Sequence, residues 1–271
     1  MTPGSSVAGS PSSSTAPGGE AIVGFVVVRH SDRPELWEGI DAISSEVWPE
    51  YNLHGEVLGA YWGRLYAEFA DFQFVLYDAE AQEVIAEGHT IPCDWDGTPN
   101  GLGEGIDAMM VAGFEAHAAG RRPTALCALA AEIRPRFQGG GLADRMLDAM
   151  SDLGRDADLE HLIAPVRPSL KNRYPITAIE RYITWTRENG EPFDPWIRVH
   201  VRRGGQIVKP IPSSMHIAGT VAEWERWTGM RFPDDGRYTF PDGLAPVEID
   251  RARDLGSYWE PNVWIVHSLA E

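Results

Sequence analysis

The chain predicts an α/β (α+β) fold in which a mixed sheet is flanked by helices. Three observations predict it. β-Rich runs early in the chain are joined by a hairpin turn. Later runs alternate with helical periods. Three consecutive glycines, Gly139–Gly141, stand where a strand gives way to a helix.

Ile22–Arg29 is a compact β-branched run and reads as a buried strand. Arg33–Pro34 opens a helix through Leu36, Trp37, Ile40 and Ile43, and Pro49 stops it. A second amphipathic helix covers Val57–Phe69. Asp71–Tyr77 and Glu83–Ile91 read as antiparallel partners about a turn at Asp78–Gln82. A turn-rich loop, Pro92–Gly105, leads to a helix near Ile106–Ala118, in which Met109 and Met110 read as core filling. Thr124–Ile133 is a strand, Gln138–Gly141 a tight loop, and Leu142–Leu153 a helix with Leu142, Met146, Leu147 and Met150 in phase. Leu162–Val166 reads as a strand, Ile176–Glu188 as a helix, Trp196–Val201 as a strand, Val221–Trp227 as a helix and Asn262–His267 as a last strand. Pro233–Leu255 is rich in Pro, Gly and Asp. Trp224, Trp227, Tyr258, Trp259 and Trp264 read as a second core patch near the C-terminus.

At 43% hydrophobic residues with ten tryptophans, the 271-residue chain can bury a sizeable core. Its net charge of −17 repels phosphate backbones, which argues against a nucleic-acid partner and suits an amine-bearing one. Cys93 and Cys127 are too far apart in sequence to suggest a metal-ligand spacing or a disulfide framework. Residues 1–20 lack the basic and apolar regions of a signal peptide and read as a disordered tail. Ala21–Val28 is too short to cross a bilayer, so no membrane partner and a cytoplasmic location are expected.

The glycine run carries the chemistry. Three glycines ahead of a helix free the backbone to aim several N–H groups one way, and the helix end adds unsatisfied donors and a positive dipole. Together they make a cradle for an anion such as a pyrophosphate. No Gly-Lys-Ser/Thr ending is present, and only half of the dinucleotide fingerprint appears, in mid-chain.

Gln138-x-x-Gly141-x-Ala143 resembles the acyl-CoA-binding motif of the GNAT (Gcn5-related) N-acetyltransferases, and Ile133-x-Pro135-x-x-Gln138 resembles the way their central strand enters that loop. The resemblance covers about residues 22–201. It implies a GNAT-like mixed, mostly antiparallel central sheet with a C-terminal extension. The domain reading is a tail over 1–20, an acyl-CoA-binding domain over 21–203 with a helical insertion at about 92–120, and an elaboration over 204–271 packed on the same domain. Acetyl-CoA or another acyl-CoA is the implied co-substrate, with no metal. Backbone groups of Ala131, Glu132 and Ile133 would pair with the pantetheine arm. Gln138, Gly139, Gly140, Gly141, Leu142, Ala143 and Asp144 would hold the pyrophosphate, with Arg134 near enough to meet a phosphate. Asn172 resembles an asparagine that touches the coenzyme in the family.

The reaction implied is direct transfer of an acyl group, acetyl first, to an amine of a small molecule in a ternary complex. Such a transfer needs a base for the amine and a proton donor for the leaving thiolate. Glu132, on the strand beside the coenzyme, is the base candidate. Tyr182 follows Ala178 as in A-x-x-x-Y-x-x-x-G-F, but the glycine, Gly190, comes four residues late, so Thr186 competes for the acid's place. That departure keeps two alternatives open: a GNAT-fold hydrolase, lyase or decarboxylase, and a CoA-binding module without catalysis. A homodimer is compatible with either. His200, His216 and His267 are scattered and read as structural, and Asp94, Asp96 and Asp107 as solvated loop.

Overall fold

The structure is a computed structural model and describes residues 24–38 and 41–270, without the side chains of residues 41 and 42. The tail expected over residues 1–20 and the start of the strand expected from Ile22 lie outside the described residues.

The described residues form one nine-stranded, mostly antiparallel sheet. The strands are β1 (Phe25–Arg29), β2 (Gln73–Asp78), β3 (Glu83–Cys93), β4 (Ala125–Ile133), β5 (His161–Val166), β6 (Gln206–Gly219), β7 (Gly236–Tyr238), β8 (Val247–Asp250) and β9 (Leu255–Ser268). The helices are α1 (Asp41–Val47), α2 (Glu56–Glu68), α3 (Ile106–Ala118), α4 (Leu142–Asp156), α5 (Ile179–Tyr182), α6 (Pro195–Arg202) and α7 (Val221–Thr228). The order across the sheet is β1-β2-β3-β4-β5-β9-β8-β7, and β6 takes the other edge of β9. β5 and β8 therefore share one edge of β9 at its two ends, so residues after 204 complete the same sheet.

β4 shows how the two faces are filled. Ala125, Cys127 and Leu129 join a core with α2, α3 and the aromatic residues Tyr51, Trp224, Tyr258 and Trp264. Leu126, Ala131 and Ile133 join the core under α4, with Leu142, Met146 and Met150. Successive strand residues point to opposite faces, so the two cores lie on opposite sides of the sheet. The C-terminal aromatic residues thus belong to the main core rather than to a second patch, except Trp259, which is exposed. Met109 and Met110 are buried there as expected.

Three expected elements are corrected. Arg33–Ile43 is not one helix: a 3-10 turn at Pro34–Trp37 precedes α1. Trp196–Val201 is helical, not a strand. Asp194 caps α6 by accepting from the N–H groups of Trp196 (3.0 Å) and Ile197 (3.2 Å), with Pro195 in its first turn. Ile176–Glu188 shrinks to the single turn α5, because Asn189–Gly190 makes a tight turn that draws Thr186 against Pro192. Among the described residues no helix is long and apolar enough to cross a membrane.

Gly88 sits between Glu87 and His89 of β3 and opposite Phe74 of β2. A Cβ there would lie 2.3 Å from the Phe74 ring. Gly88→Ala should therefore destabilise the protein by about 1–3 kcal/mol through overpacking. Denaturant unfolding of the two proteins checks this, and an unchanged midpoint would refute it.

Candidate active site

A cavity of about 460 Å³ opens between α1, α2 and the paired strands β3 and β4. Its wall includes Trp48, Trp62 and Tyr66, and Glu87 and Glu132 form its acidic floor. Both carboxyls are 1% exposed. They are brought together by register, because Glu87 of β3 lies directly across from Glu132 of β4.

An extra residue on β4 aims Glu132 into this space. His89 pairs with Ala130 and Thr90 with Ala128, which leaves Leu129 as a β-bulge. Counting by twos from Cys127 would put residue 132 on the α4 face. The bulge reverses the phase, so Ala130 and Glu132 line the cavity while Ala131 and Ile133 pack toward α4.

Hydrogen bonds fix the pair. The Ser44 hydroxyl lies 2.8 Å from Glu132 Oε2 and 3.3 Å from Glu87 Oε1. Trp48 Nε1 donates to Glu132 Oε1 at 2.6 Å. On the far side of Glu87, His89 Nε2 stands 3.4 Å from Glu87 Oε2. Burial, with the neighbouring Glu87 charge, pushes the Glu132 carboxyl up to about 7. Burial also works to raise Glu87, but the His89 imidazole and hydrogen bonds from Glu132 and Ser44 outweigh it and hold Glu87 below its ordinary value. The result is one ionised carboxylate beside one carboxyl that titrates near neutrality. Glu87, His89 and Glu132 each offer an atom within 4.8 Å of the others, so the three titratable groups form one close cluster.

Behind the cavity wall lies a second buried network. Arg167, whose guanidinium stands 5.8 Å from the centre of the Trp48 ring, pairs with Glu260. Asn52 of the cavity wall donates to Glu260 Oε1 at 3.3 Å, and Arg167 Nη2 donates to the Tyr51 hydroxyl at 3.0 Å. This anchors the turn carrying Tyr51 and Asn52 to β9.

The opposite edge of β4 is open. β4 and β5 run parallel and pair only at Ala125–His161, Leu126–Leu162 and Cys127–Ile163. Beyond that point β5 pairs with β9 alone, and the two strands part. At the end of β4 the chain passes through Gln138–Gly141 into α4. Gly139 and Gly141 have φ of +83° and +79°, the left-handed region that favours glycine. Gly141 is the N-cap of α4, and no side chain caps the helix there. A Cβ on Gly139 or Gly141 would meet nothing within 4 Å, so no other part of the described fold crowds either glycine.

No family model matches the chain. It is 30% identical to the arginine N-acetyltransferase avaD of Aspergillus versicolor over 91% of this chain and 94% of that protein. The chain belongs to the GNAT N-acetyltransferase superfamily. The fold agrees with solved GNAT structures. The loading GNATL domain of CurA from Lyngbya majuscula superposes with a TM-score of 0.61 at 16% identity, covering 90% of this chain and 98% of that one. The GNAT-like decarboxylase GphF, bound to isobutyryl-CoA, gives 0.56 at 16% identity, covering 90% and 100%. This GNAT protein is an acyl-CoA-dependent N-acyltransferase that moves an acyl group to an amine.

The expected site residues of this GNAT enzyme divide into two groups. Ala131, Glu132 and Ile133 lie on the part of β4 that has left β5. Gln138 closes the loop by donating to the Ile133 carbonyl at 2.9 Å, and Gly139, Gly140, Gly141, Leu142, Ala143 and Asp144 form the helix entry. The others are engaged elsewhere. Arg134 is held by Glu46 at 2.6 Å and by the Val84 carbonyl at 3.0 Å. Asn172 donates to Asp242 at 3.1 Å. Tyr182 is buried outside the cavity lining, and its hydroxyl donates to Asp194 at 2.8 Å. Burial and the Asp194 charge push that hydroxyl's pKa up. Thr186 is drawn into the turn before Pro192. Glu87, His89, Ser44 and Trp48 were missed. The available signal was a Glu and a His two residues apart on a strand, in phase with the buried Ile91.

Two outcomes follow from this geometry. Glu132 has a raised pKa, so its contribution to stability is present below its unfolded value and is lost as pH rises through about 7. Glu132→Gln should therefore raise Tm at pH 8 and change it little at pH 5. A lower Tm at pH 8 would contradict the buried-pair account. Gly141→Val strains the positive φ from which the loop presents its N–H groups, so KM for acetyl-CoA should rise about tenfold or more in steady-state assays.

Proposed function

We propose that this enzyme transfers an acetyl group from acetyl-CoA to a small basic amine, with arginine the first candidate, by direct attack in a ternary complex. The observation that carries the reading is the buried Glu87–Glu132 pair on the cavity floor. Above its pKa near 7 the pair can receive a proton from a bound ammonium, and Trp48, Trp62 and Tyr66 offer aromatic faces to a cation. The relative's printed activity on arginine and the chain's net charge of −17 point the same way.

Proton affinity selects the reacting nitrogen. An α-ammonium is several units more acidic than a guanidinium and can lose its proton to a nearby carboxylate base, whereas a guanidinium stays protonated. The α-amino nitrogen is therefore our nucleophile for an arginine-like acceptor. Glu132 takes its proton, the freed lone pair attacks the thioester carbonyl, and the C–S bond breaks as the adduct collapses; the attacking nitrogen gives up its surplus proton, which leaves the amide and coenzyme A as the thiol. A covalent acyl-enzyme is not required. Cys93 and Cys127 are buried, with thiol pKa values pushed up by burial, to about 12 for Cys93, and neither lines the cavity. Acetyl-CoA is held in this reading by the N–H groups of residues 139–144 and by the free edge of β4 at Ala131–Ile133. Tyr182 acts as a prop for Asp194 rather than as the acid.

Free-thiol release from acetyl-CoA, measured with and without arginine, tests the reading. Release that requires the amine, with acetate found on the α-nitrogen by NMR of the product, is expected. Thiol release without amine would overturn transfer in favour of hydrolysis. Glu132→Gln should lose about 10²- to 10⁴-fold in kcat, and wild-type kcat/KM should fall below pH 7, where Glu132 gains its proton. Tyr182→Phe should keep kcat within about threefold while lowering Tm by the loss of one buried hydrogen bond.

A further inference from the structure

We propose that His89, held by Gln73 and acting through Glu87, sets the protonation of Glu132 and is a positioning residue for the transfer. The proposal rests on the reading of Glu132 as the base. His89 itself lies behind the acidic floor, fully buried, and does not line the cavity.

Gln73 determines the state of the ring. Its Nε2 donates to the carbonyls of Phe69 (3.0 Å) and Thr90 (2.8 Å). Turning the amide over would set Oε1 against two carbonyl oxygens, so Oε1 must be the atom facing His89 Nδ1 at 3.1 Å. An acceptor there requires a proton on Nδ1. Nε2 then faces Glu87 Oε2 at 3.4 Å, and neither atom has a hydrogen-bond partner among the described residues. A bare nitrogen lone pair against a carboxylate oxygen would be repulsive in a site that excludes water. A second proton on Nε2 removes the repulsion and makes an imidazolium–carboxylate pair.

The surroundings agree. The titratable groups facing His89 are Glu87 on its own strand, Glu132 on β4, and Tyr66 on α2, whose ring centre is 5.9 Å away. Trp62 of α2 covers the ring at 4.7 Å. Burial alone would lower the imidazole's pKa, but the adjacent Glu87 carboxylate, with the charge of Glu132, outweighs it and raises the value.

The consequence is a charge count. With His89 positive, Glu87 negative and Glu132 protonated, the triad is neutral. Ionising Glu132 leaves one net negative charge, which one bound ammonium matches. The ammonium N–H bond then breaks, an O–H bond forms on Glu132, and the nitrogen keeps the electron pair. Without the imidazolium, two carboxyls share one proton from the outset. Removing that proton would place two uncompensated charges side by side, so the titration of the pair would move to higher pH.

Two measurements test this. In His89→Gln the acidic limb of the kcat/KM profile should move up by about one unit or more. The rate at pH 7 would then fall about fivefold or more relative to wild type and recover by pH 9, with KM for acetyl-CoA unchanged. A loss of rate equal at every pH would mark a merely structural role and overturn the proposal. Nitrogen-15 NMR of the wild-type protein gives a reading that needs no variant. His89, assigned through its contacts to Trp62, should carry protons on both ring nitrogens at pH 8, and a neutral ring would overturn the proposal. Full activity in Glu132→Gln would refute the base itself. An inactive Glu132→Gln with an unmoved limb in His89→Gln would refute only the role of His89.

Discussion

The extra residue at Leu129 is the constraint on which the site depends. β4 must do two things with one backbone. Its first half packs Ala125 and Cys127 into the α2–α3 core and Leu126 into the α4 core. Its second half must turn Glu132 toward the cavity. Strict alternation forbids both, because residue 132 is five positions from residue 127 and would point to the other face. One bulged residue resolves the conflict at the cost of a local break in the ladder with β3. Bulges also increase the twist of a strand, and this one lies just beyond the last pairing with β5, where the two strands part.

Once Glu132 is turned inward, the electrostatics follow from what lies across the ladder. The register sets Glu87 opposite it, and two buried carboxylates in contact cannot both stay ionised cheaply. Hydrogen bonds from Ser44 and Trp48, both at or next to α1, orient the pair but add no charge. Compensation has to come from the sheet, where His89 is two residues along β3 and in phase with Glu87. The site therefore stores strain in its charges rather than in its backbone, and this explains how a carboxyl can titrate near neutrality while only 1% exposed.

The legible parts of the sequence were those with a strong local cause. Three glycines before a helical period need no tertiary context, and α2, α3, α4 and α7 emerge from apolar spacing within two or three residues of their observed ends. Trp196–Val201 was misread because its alternating apolar residues fit period two over six positions, while the stronger signal, Asp194–Pro195 as cap and first turn, lay just upstream. Glu132 could be picked out from the family resemblance, but its partners could not. Glu87 is 45 positions away and is joined to it only by strand register, and Ser44 and Trp48 are joined only by the packing of α1. Tyr182 fits a local motif, yet Asp194 claims its hydroxyl, a contact that depends on the Asn189–Gly190 turn.

The two halves of the proposed chemistry lie on opposite faces of β4. The open donors of the glycine loop lead into α4, which packs on one face, whereas Glu132 and the aromatic wall lie on the other. A coenzyme whose pyrophosphate rests at the loop can bring its thioester to Glu132 only by passing through the sheet. An unbroken ladder of backbone hydrogen bonds would bar that passage. The parting of β4 from β5 after Cys127 and Ile163 opens it, and β9, by pairing with β5 through Val166, holds β5 in place once its β4 partner is gone. This ties the last strand of the chain to the site although it supplies none of the cavity floor. Through Glu260, Arg167 and Asn52, β9 also ties down the back of the cavity wall.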